Sequence, residues 1–172
     1  MPTFNGTSGA DIFTAPDNQD WTIIGAGGQD ILTGAGGNDT IVAGKGSDTL
    51  DGGGGNDTFL VAPMGGADII NGGDQTINGG IGYDMVKATA DNMYIGIESI
   101  AGVEEISADG HVGIRINGSI NDNILNFSNV TLTGIGLIFG GNGNDTITGN
   151  AITANQIDGG AGDDTLVGGA AN

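Results

Sequence analysis

At 172 residues the chain has the length of one ordinary domain, and its 37 glycines are roughly three times the usual share of about 7%. A hydrophobic fraction of 37% separates it from disordered acidic chains and allows a thin buried core. Lys45, Lys87 and Arg115 are the only strong bases against 18 Asp and 3 Glu, and the net charge of -18 argues against nucleic acid or an anionic membrane surface and for a cation as partner. Cysteine is absent, so no disulfide braces the core. No run reaches the roughly 18 apolar residues that membrane insertion requires. The opening MPTFNGTSGADIF lacks the basic and apolar regions of a secretory leader.

The first units in the chain are GTSGADIFT around Asp11 and APDNQDWTI around Asp20, the second stripped of glycine and followed by Ile24 as a one-residue insertion. Then Asp30, Asp39, Asp48 and Asp57 fall nine residues apart in GAGGQDILT, GAGGNDTIV, AGKGSDTLD and GGGGNDTFL. Glycine holds the fourth position each time, aspartate the sixth, and an aliphatic or Phe the eighth. The beat continues through PMGGADIIN around Asp68, a seven-residue unit GGDQTIN with Gln75 at the aspartate place, and GGIGYDMVK around Asp84.

Residues 88–138 lose the glycine-aspartate signature, yet Val86, Ile97, Ile106, Ile116 and Leu125 keep a spacing of 9 to 11 residues. Alternation as in VGIRI and VTLTGI belongs to strands. The signature returns in GGNGNDTIT around Asp145 and GGAGDDTLV around Asp164, separated by a unit in which Asn155 replaces aspartate. The organisation predicted is a glycine-aspartate coil over 1–87, rungs without that signature over 88–138 continuous with it, and further glycine-aspartate repeats over 139–172.

A nine-residue unit divides into a six-residue turn and a strand of about three, so two units make one coil with strands on opposite sides. Rungs about 4.8 Å apart then stack the eighth-position residues Leu32, Ile41, Leu50, Phe59, Val86, Ile147 and Leu166 as an inward ladder. The aspartates stack as well, and two carboxylates about 5 Å apart repel by roughly 3 kcal/mol at an effective dielectric near 20. A hard divalent cation relieves this. Ca²⁺ accepts six to eight oxygens in flexible geometry, and glycine turns expose main-chain carbonyls beside the carboxylates. A donor inventory of one histidine and no cysteine argues against zinc.

These units closely resemble the RTX (repeats in toxin) Ca²⁺-binding nonapeptides of bacteria, over residues 6–87 and 140–169. The resemblance implies an all-β parallel β-roll or β-helix solenoid with Ca²⁺ held between stacked turns by sixth-position aspartates and loop carbonyls. Carried onto this sequence, the metal ligands are Asp11, Asp20, Asp30, Asp39, Asp48, Asp57, Asp68, Asp84, Asp145 and Asp164. The same-side pairs implied are Asp11 with Asp30, Asp20 with Asp39, Asp30 with Asp48, Asp39 with Asp57, Asp48 with Asp68, Asp68 with Asp84, and Asp145 with Asp164, while Gln75 and Asn155 end their columns.

No enzyme is expected. His111 has no Ser or Cys partner, and Glu104 and Glu105, adjacent on a strand, face opposite ways and do not form a glycosidase pair. The family resemblance implies a structural role in a secreted or cell-surface protein exported by type I secretion. Uncapped solenoid edges imply a capacity for end-to-end stacking into a filament or surface layer. The alternatives are a calcium-triggered folding module of a larger exported enzyme and an adhesin segment.

Overall fold

The computed structural model describes residues 1–63, 66–71, 82–150, 152 and 156–169, and every regular element among them is a strand. In chain order these are β1 (Thr3–Asn5), β2 (Ile12–Thr14), β3 (Thr22–Ile24), β4 (Ile31–Thr33), β5 (Thr40–Val42), β6 (Thr49–Asp51), β7 (Thr58–Val61), β8 (Asp68–Asn71) and β9 (Met85–Ala88). There follow β10 (Tyr94–Ala101), β11 (Glu105–Ser107), β12 (Ile114–Asn117), β13 (Ile124–Asn126), β14 (Thr131–Thr133), β15 (Ile135–Asn142), β16 (Thr146–Thr148), β17 (Gln156–Ala161) and β18 (Thr165–Val167).

All pairings are parallel, and successive strands alternate between sheets, which makes the chain a β-solenoid. One sheet runs β1-β3-β5-β7-β9-β11-β14 and a second runs β2-β4-β6-β8-β10-β12-β15-β17. The three-residue strands follow from the sequence. Between two glycine turns only three residues remain, often Thr-U-x as in β3, β5 and β6, and the inward side chain is the eighth-position residue. Leu32, Ile41, Leu50, Phe59 and Val86 are all fully buried, as are Ile97, Ile106, Ile116, Leu125 and Ile147. Leu166, on an edge strand, is 46% exposed.

The turns need glycine at their fourth position, where φ is +122° at both Gly28 and Gly46. A Cβ on Gly46 would run into the carbonyl of Gly28 on the rung before.

The register differs from the sequence reading in three places. Thr22 pairs with Thr40 and Ile23 with Ile41, so Trp21, not Asp20, holds the sixth position of its unit, and the extra residue lies in the turn before β3 rather than at Ile24. The burial of Ile23 fixes this, because sliding a strand by one residue would turn its apolar side chain to solvent. Second, β7 pairs directly with β9. Asp84 therefore stacks on Asp57 instead of Asp68. Gln75 and Asn155 lie outside the described residues. Third, the coil does not stay two-sided. From β13 onward a third sheet, β13-β16-β18, forms a further face, and same-side spacing lengthens from 18 to 22 residues between Leu125 and Ile147.

The central rungs have a different core. β10 and β15 are eight residues long and bury two side chains each, Ile95 with Ile97 and Ile135 with Ile138, where a three-residue strand buries one. At the N-terminal end Phe4 and Phe13 face each other across the coil and stack at 4.1 Å between ring centroids.

Candidate metal centre

Each turn folds its aspartate back against the rung before it. The carboxylate Oδ1 accepts the main-chain N–H of the residue one rung earlier on the same side: Asp30 from Asp11 at 2.8 Å, Asp48 from Asp30 at 2.8 Å, and Asp68 from Asp48 at 3.0 Å. On the other side Asp39 accepts from Trp21 at 2.7 Å, Asp57 from Asp39 at 2.8 Å, and Asp84 from Asp57 at 2.7 Å. In the third sheet Asp164 accepts from Asp145 at 2.9 Å. Nine of the ten candidate aspartates thus fall into three columns: Asp11-Asp30-Asp48-Asp68, Asp39-Asp57-Asp84, and Asp145-Asp164.

Asp20 stands outside them. It occupies the fifth position, where a second ladder runs with opposite polarity. Asn38 donates its N–H to Asp20 Oδ1 at 2.7 Å, Asn56 to Asn38 at 2.8 Å, and Tyr83 to Asn56 at 2.7 Å. On the third side Asn144 donates to Asp122 at 2.7 Å and Asp163 to Asn144 at 2.8 Å. These exposed amides and carboxylates fasten turn to turn without a cation.

The second carboxylate oxygen of the columns has a different environment. Oδ2 of Asp30, Asp39, Asp48, Asp57, Asp68 and Asp145 is buried and has no hydrogen-bond partner. At Asp30, Asp39 and Asp145 it faces the first-position glycine of its own turn and the carbonyl of the next same-side turn. A Cβ added to Gly25 would meet Asp30 Oδ2 and the Ala43 carbonyl, and one on Gly34 would meet Asp39 Oδ2 and the Gly52 carbonyl. Oxygen therefore faces oxygen around a point that lacks a donor.

Burial dominates the ionisation of these groups. It pushes Asp39 and Asp48 up to about 6, against the N–H bonds from Trp21 and Asp30. Burial raises Asp57 and Asp68 to about 7, with the neighbouring carboxylates of Asp84, Asp39 and Asp51 adding to the shift at Asp57 and that of Asp48 at Asp68. Asp145 is raised by burial and then by Asp164 and Asp122. At neutral pH such a column is stable only if something positive replaces the missing water.

The donor set is all oxygen and suits a hard cation such as Ca²⁺. Among the described residues no three His, Cys, Asp or Glu side chains converge on one point. A cation between two turns would therefore complete its shell with main-chain carbonyls, which the glycine turns expose.

Among the described residues some sixth-position places are not aspartate. Besides Trp21, Glu104 follows Asp84 in its column and accepts the Asp84 N–H at 2.8 Å through Oε2. Asn123 precedes Asp145. Each stands two residues before a buried inward side chain, Ile23, Ile106 or Leu125, and that spacing was the available signal. Glu105 points elsewhere, accepting from Tyr83 Oη at 3.0 Å and Thr133 Oγ1 at 2.7 Å. His111 contacts Asp91 through Nδ1 at 3.0 Å on the exposed surface.

The sequence matches the family described as RTX calcium-binding nonapeptide repeat, in four copies, over residues 22–59, 131–151 and 153–172. Comparison with curated proteins and with solved structures gives no match.

Proposed function

We propose that the aspartate columns of this chain, whose sequence matches the RTX calcium-binding nonapeptide repeat in four copies, hold Ca²⁺ between consecutive same-side turns and thereby lock a structural, non-enzymatic solenoid. The observation that carries this reading is the row of buried, partnerless Oδ2 atoms facing carbonyl oxygens. Ca²⁺ would supply the positive charge that lets these carboxylates stay ionised inside the stack. Asp11, Asp30, Asp48 and Asp68 would serve one side, Asp39, Asp57 and Asp84 the other, and Asp145 with Asp164 the third.

The labour divides along the chain. Residues 1–87 and 139–172 are the metal-binding arms, and 88–138 are rungs that stand without metal. The match to the RTX repeat and the extracellular abundance of Ca²⁺ support a secreted or cell-surface setting reached by type I secretion. Calorimetric titration tests the column assignment. Asp57→Ala, which removes a carboxylate shared by Asp39 and Asp84, should lose two Ca²⁺, and Asp164→Ala, with Asp145 as its one partner, should lose one. Equal losses, or none, would overturn the assignment.

A second reading, head-to-tail stacking of copies, is favoured by open strand edges. Among the described residues β1 pairs only with β3 and β18 only with β16, and the inward-register Leu166 is 46% exposed. Light scattering should show growth in mass with protein concentration in millimolar Ca²⁺. A constant monomer mass sinks this reading.

A further inference from the structure

Asn123 holds the place on its rung that Asp145 and Asp164 hold on the next two, as the strand register Ile124↔Thr146↔Thr165 requires. It is 1% exposed. Its N–H donates to Asp145 Oδ1 at 2.8 Å, repeating the Asp145-to-Asp164 bond above it. Its Oδ1 occupies the oxygen cradle of the aspartate turns, beside the first-position Gly118 and the carbonyl of Gly140.

The neighbour below differs. Beneath each column aspartate above the first, the earlier rung presents an N–H to the carboxylate, but beneath Asn123 it presents the carbonyl of Glu98. Asn123 Nδ2 donates to that carbonyl at 3.3 Å and to Ser119 Oγ at 3.0 Å, while Oδ1 accepts the Ser119 N–H at 2.8 Å. A carboxylate has no proton to give to Glu98 O, so an aspartate here would set oxygen against oxygen at that contact. The amide resolves that contact with its own N–H and takes the Ser119 N–H on Oδ1, at zero net charge, whereas Oδ2 of Asp145, one rung on, has no hydrogen-bond partner.

We propose that the Asn123 side-chain amide stands in for the cation on its rung, so that the Gly118–Asn126 turn and strand close without Ca²⁺ and the third-side metal column begins only at Asp145. The proposal rests on the calcium reading above for what it replaces, and on the amide's own hydrogen bonds for how.

Two variants in the full chain test it. Asn123→Asp should bind one more Ca²⁺ than wild type in calorimetric titration and should melt several degrees lower in EGTA. Asn123→Ala should also melt lower in EGTA but leave the Ca²⁺ count unchanged. An Asn123→Asp variant with the wild-type count, or with the wild-type melting temperature in EGTA, would overturn the proposal. If wild type itself bound no Ca²⁺, the calcium reading would fail instead. The EGTA melts would then decide the amide's role alone, with undiminished melting of both variants counting against it.

Discussion

Chelating Ca²⁺ with EGTA at neutral pH should unfold the two aspartate-bearing arms and leave the central strands β10 to β15 paired. Asp39, Asp48, Asp57 and Asp68 are each no more than 2% exposed, with carboxyl groups that titrate at about 6, 6, 7 and 7 in place of 3.8. At about 1.4 kcal/mol per pK unit, holding them ionised without a counter-ion opposes folding by on the order of 10 kcal/mol. That equals the whole net stability of a typical domain, roughly 5–15 kcal/mol. An arm rung offsets it with one buried side chain, worth about 1.5–3 kcal/mol. The central rungs bury Ile95, Ile97, Ile114, Ile116, Ile135 and Ile138 and, among the described residues, contain no orphaned carboxylate. Hydrogen exchange followed by peptide mass spectrometry should show protection retained within 94–139 and lost within 25–60 and 140–167. Uniform exchange along the chain, or protection of the arms in EGTA equal to that in Ca²⁺, would contradict the expectation.

Acid should substitute for the metal. A carboxyl whose folded pKa is raised contributes its stabilisation fully below the unfolded value near 3.8 and loses it as pH rises through the folded value. The contribution therefore disappears between about pH 4 and pH 7, from the values near 6 for Asp39 and Asp48 and near 7 for Asp57 and Asp68. In EGTA, lowering the pH from neutral to about 5 should restore β structure to the arms, seen as a gain in the far-ultraviolet circular dichroism of strands. In saturating Ca²⁺ the same change should do little to the spectrum but should weaken Ca²⁺ affinity, because protons compete for the same oxygens. A metal-free spectrum that does not respond between these pH values would rule out burial of ionisable aspartates as the reason for metal dependence.

The fold class and the inward ladder were legible because both follow from one local rule, a glycine turn followed by a short strand with a single buried residue. The columns were legible wherever units of nine followed without a gap, as at Asp30, Asp39, Asp48 and Asp57. Two failures came from anchoring the register on aspartate. Measured from the buried residue two places on, Trp21 with Ile23, Glu104 with Ile106 and Asn123 with Leu125 fall into the columns, and Asp20 falls out of them. The stacking of Asp84 on Asp57 was not legible in this way. It depends on the direct pairing of β7 with β9, a long-range contact that no local pattern states. The third sheet was equally hidden, since the number of faces depends on how 19 to 22 residues are shared between corners, which no local pattern states.

Trp21 is the single tryptophan, and both tyrosines, Tyr83 and Tyr94, lie beyond the first seven strands. Its ring sits 5.4 Å from that of Phe13, its Nε1 donates to Asp17 at 3.0 Å, and its N–H is held by Asp39 Oδ1 at 2.7 Å. The carboxylate that would close on a cation is thus the same one that positions the indole. The chain carries its own optical probe of the N-terminal arm: tryptophan emission can follow the filling of the Asp39 level in real time, without a dye and without interference from the central rungs.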